Sequence, residues 1–251
     1  MRMIRIIAFP VLAAALVLAP AAARADRRYY GETYTSSIAP RGSLDLELWS
    51  TFHDAPRDGS APALWRHQVE LETGITDHWD VALYNIARQI QGQNLEYEAV
   101  KVETRYRLAD PGSWFVDPVL YFEVQKTFVD DRPLAVEEKL ILSKDVGRLN
   151  MAVNLAVEQE FVPGGKVEHE GEWTAGTAWE IVPAFRVGAE AFGTVARQDE
   201  DGQKRWVSQN YAGPAVSIAS GRAWLVLAAG VGLNDQSERV RARAIFSYQL
   251  F

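Results

Sequence analysis

The sequence predicts an all-β protein: a closed antiparallel transmembrane β-barrel of about 12 strands, with short periplasmic turns and longer outer loops. Three observations predict it. Apolar and polar residues alternate with a period of two along most of the chain, the period of a strand with one greasy and one polar face. The segments between strands alternate long and short, as barrel loops do. An export leader precedes the first strand.

The leader is residues 1–25. Arg2 and Arg5 open it, an apolar run broken by Pro10 and Pro20 follows, and Ala23-Arg24-Ala25 fits the small-x-small cleavage rule. Cleavage leaves Asp26 first. Removing Arg2, Arg5 and Arg24 lowers 26 basic groups to 23 against 33 acidic ones, a net charge near −10. Residues 26–42 then form a periplasmic N-terminal lead, and 43–251 the barrel. Tyr29, Tyr30 and Tyr34 give the lead two readings, a plug folded into the periplasmic mouth or a disordered stretch outside it. The disordered stretch is the expectation.

The strands follow in order. SLDLELWSTF sets Leu44, Leu46 and Leu48 against Asp45, Glu47 and Trp49, and WRHQVELET sets Trp65, Val69 and Leu71 against Arg66, Gln68, Glu70 and Glu72. VKVETRYRL opposes Val100, Val102, Tyr106 and Leu108 to Lys101, Glu103, Arg105 and Arg107. NMAVNLAVEQEF opposes Met151, Val153, Leu155, Val157 and Phe161 to Asn150, Asn154, Glu158 and Glu160. The last strand opposes Val240, Ala242, Ala244, Phe246, Tyr248 and Leu250 to Arg239, Arg241 and Arg243. The pattern places strands near 43–53, 64–73, 79–87, 97–108, 114–127, 136–144, 150–161, 171–181, 185–196, 208–218, 223–231 and 238–251. Several reach the ~9–11 residues that cross a bilayer at a tilt.

Long connections are expected at 54–62, 89–96, 129–135, 162–170, 196–206 and 232–238. Tight links are expected at 74–78, 109–113, 145–149, 182–184 and 219–222. A secreted sandwich or lipocalin-like barrel has the same period with the apolar face turned inward. The number of long strands, the densely charged polar face and aromatics near strand ends favour lipid outside and water within. Those aromatics are Trp49, Phe52, Trp65, Trp79, Trp114, Phe161, Trp206, Tyr248 and Phe251.

The ending RARAIFSYQLF, closing on Phe251, resembles the C-terminal strand signal that the barrel-insertion machinery reads in Gram-negative outer-membrane proteins. WRHQVELETGITDHWDVALY and NYAGPAVS (210–217) resemble segments of the putative outer-membrane transporters associated with phenol degradation. That resemblance implies a roughly twelve-stranded barrel in the cell outer membrane that passes small organic solutes, aromatic or hydrophobic ones among them. It implies no catalytic residues.

The period places a pore lining of Glu47, Arg66, Glu70, Glu72, Lys101, Glu103, Arg105, Arg107, Glu123, Lys139, Glu158, Glu160, Arg186, Glu190, Arg241 and Arg243. Both signs are present, so these residues either pair across strands or line a wet constriction. Twelve strands fall between barrels filled by their own side chains and barrels with open channels, so a narrow pore and a closed lumen both fit.

Chemistry is sparse. The chain has no cysteine, and His53, His67, His78 and His169 lack ligand spacing, so neither metal nor cofactor is expected. No phosphate-binding loop or hydrolase motif appears. The acidic balance argues against nucleic acid. Folding the first hairpin about 54–62 brings Ser50 opposite His67 on the lipid-side phase, which supports an alternative reading as a lipid hydrolase. A second alternative is a structural barrel whose acidic loops (Asp130, Asp131, Asp199, Glu200, Asp201) contact lipopolysaccharide or partner proteins through divalent cations. Expected partners are outer-membrane lipid and lipopolysaccharide, the insertion machinery at Phe251, and an unidentified small solute.

Overall fold

A computed structural model describes residues 27–251 apart from 57, 58, 60, 130–133, 201 and 202. The export leader and Asp26 lie outside the described residues, as do Asp130, Asp131 and Asp201 of the acidic-loop reading. Twelve antiparallel strands form one closed barrel. They are β1 (Leu44–His53), β2 (Leu64–Thr76), β3 (Trp79–Ile90), β4 (Glu96–Arg107), β5 (Asp117–Thr127) and β6 (Leu134–Val146). After them come β7 (Leu149–Val162), β8 (Lys166–Val182), β9 (Phe185–Glu200), β10 (Gln203–Ser220), β11 (Ala223–Gly232) and β12 (Val240–Gln249). Each strand pairs with its sequence neighbours, and β1 closes the ring on β12 through Asp45↔Gln249 to His53↔Arg241. Beyond the ladder, Leu44 N–H donates to Phe251 O at 3.0 Å and Leu250 N–H to Leu44 O at 2.8 Å. Closure leaves no sheet edge at membrane depth, which hydrocarbon requires.

Burial gives the direction of the two faces. Leu155 and Val102 are each 53% exposed on the outside, whereas Glu70 and Glu103 are 2% exposed inside. The outer belt continues through Leu48, Leu83, Leu120, Phe122 and Leu227. A soluble β-protein has the opposite arrangement, so an apolar exterior of this extent suits lipid. Trp79 and Tyr106 on the outside near the tight-turn end suit the interface with polar headgroups. Trp49, expected among these rim aromatics, is instead buried inside, in step with Glu47.

Strand lengths explain two further differences. In the stretches 162–170 and 196–206, expected as long loops, the described residues carry the strand ladder outward, to Val162↔Lys166 and Gln203↔Glu200. Both stretches are polar on successive residues, so they lack the alternation by which strands are counted in the sequence. The link expected at 109–113 runs from Leu108 to Val116. The tight turns after β6 and β10 hold Gly147 and Gly221 at φ 61° and 58°, backbone that glycine adopts without a Cβ clash.

The outer part of β10 lacks a strand partner on its β11 side, and the loop 233–239 covers it. Leu233 N–H donates to Asn210 O and Asn234 Nδ2 to Ser208 O, both at 2.8 Å. Ser208 N–H donates to Gln236 Oε1 at 2.9 Å and Asn210 N–H to Ser237 Oγ at 2.8 Å. Side chains here replace a missing strand, which blunts an edge otherwise open to pairing. Farther down, the β10–β11 register passes from Ala212↔Val231 to Ala215↔Ala228, skipping Gly213 and Pro214. Proline has no N–H for the ladder.

The N-terminal stretch is the main correction. Of the stretch 26–42, expected as a lead outside the barrel, residues 27–40 lie within it, with Tyr30, Thr33, Tyr34, Ile38 and Ala39 buried. The path enters beside the β8–β9 turn, where Arg27 Nη1 donates to Pro183 O at 2.6 Å. It rises to Tyr34 and returns to Gly42, whose N–H donates to Gly74 O at 2.8 Å. Barrel glycines make way for it. A Cβ on Gly176 would strike the Tyr30 ring, and one on Gly74 would strike the Ala39 and Pro40 carbonyls.

Candidate functional site

The site is the lumen, and its tight-turn half is filled by this N-terminal segment. Three sets of contacts hold the segment. On β9, the Glu190 carboxylate accepts from the backbone N–H groups of Gly31 (2.9 Å), Glu32 (2.9 Å) and Thr33 (3.0 Å), and from Thr33 Oγ1 (3.2 Å). On β7, Asn150 Oδ1 accepts from the Tyr30 hydroxyl at 2.8 Å, and Asn154 bonds both backbone groups of Tyr34. On β12, Arg243 Nη1 lies 2.9 Å from Gly31 O and 2.7 Å from Glu32 Oε2. Tyr34 and Ile38 also pack with Val119, Tyr121 and Ile141 of β5 and β6.

Around Tyr34 the lumen concentrates cations and rings. Arg28 lies 3.7 Å from the Tyr34 centroid and 4.6 Å from that of Trp49, and Lys139 stands 4.8 Å from Tyr34 and 4.3 Å from Tyr121. Tyr34 and Tyr121 meet edge to face at 5.4 Å. Cation–π contacts of this kind strengthen when desolvated.

All the sequence-predicted lining residues lie on the inward phase of their strands. Arg105 gathers Asp80 (2.5 Å) and Glu72, with Glu103 at 3.4 Å. Glu103 Oε2 accepts from Tyr84 at 2.6 Å and from Tyr34 at 3.3 Å. Trp49 Nε1 donates to Glu70 at 2.9 Å and to Glu47 at 3.1 Å. Lys101 pairs with Glu123 at 2.9 Å, Lys139 with Glu137 at 2.6 Å, and Arg186 with Glu180. Arg66 grips Glu98 with two hydrogen bonds of 2.8 and 2.7 Å, and Arg241 pairs with Glu238 at 2.9 Å. Arg107 sits at the tight-turn rim, its Nη2 donating to Asp77 O.

Glu158 and Glu160 belong to an acidic wall. Glu103, Glu123, Glu137, Glu158 and Glu170 face one another in register across β4 to β8. Directly opposed like charges repel, and Lys101, Lys139 and Tyr84 offset part of that cost. Carboxylate oxygens of Glu137, Glu158 and Glu172 lie within 4.8 Å of one another, a spacing at which oxygen ligands can meet a hard cation. The strands opposite, β12 to β2, mix both signs, Arg66, Arg241 and Arg243 standing beside Glu47, Glu70 and Glu72, just as Lys101, Arg105 and Lys139 stand among the acids.

The predicted lining leaves out Glu98, Tyr84 and Tyr121 and gives Asn150 and Asn154, placed on the polar face, no role, while Tyr30 and Tyr34 take the positions of the plug reading. Glu98 was out of phase by simple alternation, but a register shift opposite Ile86/Ala87 turns it inward to Arg66. Inward glycines on β2 and β8 were the available sign that something else fills the lumen beside them.

At the outer mouth, Glu238 in the β11–β12 loop bonds His53 Nδ1 at 2.9 Å. Burial alone would raise its pKa. The hydrogen bond from His53 and the charge of Arg241 outweigh that and hold it at about 2.

The Ser50–His67 pair forms as predicted, Oγ to Nδ1 at 3.1 Å, with His67 stacked on Trp65 at 6.0 Å. Nδ1 faces the serine, and no carboxylate or amide orients the other ring nitrogen among the described residues. A hydrolytic serine needs a base that is itself oriented.

Residues 116–241 match DUF6662, a family of unknown function, and the chain belongs to that family. No curated protein sequence matches the chain. Among solved structures, an outer-membrane channel from Pseudomonas putida F1 superposes with a TM-score of 0.60 at 11% identity, over 85% of this chain and 97% of that one. A NanC porin superposes with a TM-score of 0.56 at 12% identity, over 82% of this chain and 100% of that one. Both likenesses are to the fold, a closed antiparallel barrel of the outer-membrane type.

Proposed function

We propose that this member of DUF6662 is an outer-membrane channel for small polar solutes, narrowed by its own N-terminal segment. One observation carries the reading: an apolar exterior encloses a charged lumen. Beyond the few side chains that anchor the segment, such as Glu190, Asn154 and Asp80, packing does not call for so many charges, since apolar replacement of a buried ion pair is often neutral or stabilising. A water path explains them. The acidic row across β4 to β8, with lysines and arginines interspersed, gives a lining of both signs that favours polar over apolar solutes. The phenolic or hydrophobic solutes suggested by family resemblance find less support in a lumen of this polarity.

The experiment is single-channel recording in planar bilayers, with the mature chain and with a variant lacking residues 27–40. Small conductance from the mature chain and a severalfold increase on deletion are expected. Absence of conductance in both, from protein that shifts on SDS gels when boiled, would overturn the channel.

A further inference from the structure

The anchor between the N-terminal segment and β9 has the form of a receptor already holding its ligand. Three consecutive backbone N–H groups, Gly31 to Thr33, converge on one carboxylate at 2.9 to 3.0 Å, and the Thr33 hydroxyl adds a fourth donor. Successive N–H groups turned to one side make an anion-binding concavity. Its tightness depends on Gly31, where an added Cβ would lie 3.0 Å from Glu190 Oε1 and 2.7 Å from the Ala228 Cβ. Arg243 flanks it through Gly31 O and Glu32. The concavity belongs to the segment, whereas the carboxylate belongs to the barrel wall.

We propose that Gly31–Thr33 is a carboxylate receptor, that Glu190 is its intramolecular ligand, and that small carboxylate-bearing solutes entering the lumen displace Glu190 and release the segment from β9. The tethered Glu190 acts at an effective concentration in the millimolar range or above, so a competing solute must reach comparable levels. The inference rests on the channel reading only for the solute's route inward.

Amide exchange in the full-length, detergent-folded barrel tests it without any need for conduction, using sodium acetate against sodium chloride at equal ionic strength and pH. In chloride, Glu190→Ala should exchange the 31–33 amides at least about tenfold faster than wild type, since charge-assisted hydrogen bonds are lost. Acetate, and not chloride, should restore that protection in a saturable way. In wild type, rising acetate should speed exchange at Tyr34 and Ala39, whose amides bond Asn154 and Asp80. Glu190→Gln serves where Glu190→Ala fails to give a heat-modifiable barrel, and should show a smaller loss of protection, since its amide oxygen still accepts, with weaker rescue. Equal effects of acetate and chloride on either variant overturn the receptor. Rescue of the variant with wild type unmoved by acetate overturns the displacement. A missing conductance with acetate rescue intact would count against the channel alone.

Discussion

Asn154 holds Tyr34 by both of its backbone groups: Tyr34 N–H donates to Asn154 Oδ1 at 2.7 Å, and Asn154 Nδ2 donates to Tyr34 O at 3.0 Å. A strand neighbour would offer the same pair of bonds. One side chain on β7 therefore pairs the segment as a ladder would, at the point where its path turns back.

Asn154→Ala should loosen the segment by about 1–3 kcal/mol, because it strands a buried donor and a buried acceptor. Amide exchange at Tyr34 checks this. Asn154→Asp, which keeps the acceptor and loses the donor, should fall between alanine and wild type.

Removing charge from the acidic wall should stabilise the barrel. Glu158→Gln relieves opposition to Glu137 and Glu170, a gain on the order of 1 kcal/mol by cross-strand pairing. A higher temperature for the heat-induced gel shift is the readout. The same variant should weaken any preference for cations in reversal-potential measurements across a salt gradient.

The outer loop should loosen in acid. Glu238 has its folded pKa depressed to about 2, so its contribution is complete above its ordinary value near 4.5 and lost as pH falls through about 2. That contribution is on the order of 3 kcal/mol. Relative to the intrinsic rate at each pH, amide protection across 233–239 should fall between pH 5 and 2 in wild type, and Glu238→Gln should be weakly protected throughout.

Ser50→Ala should leave lipid turnover unchanged. The Ser50–His67 hydrogen bond presents Nδ1 to the serine without an orienting partner for the ring among the described residues. Fatty-acid release from phospholipid vesicles should be equal, or absent, for wild type and variant. Serine-dependent release would place the protein among lipid hydrolases instead.

The sequence by itself determined the wall. Period two fixes which residues share a face, so Leu155 outside and Glu158 inside follow from counting, and twelve strands follow from counting the alternating segments. The Ser50↔His67 register followed from loop length alone, because a hairpin's arithmetic is local. Tertiary structure decided what fills the lumen. Nothing in DRRYYGETYTSSIAPRGS has a period of its own, since its order comes from Glu190, Asn150, Asn154 and Asp80, all far away in the chain. A segment that borrows its hydrogen-bond partners from distant strands carries no local pattern to read. Glu98 shows the same limit on a smaller scale: one bulge reverses a face, and its place is set by the partner strand rather than by neighbours in sequence.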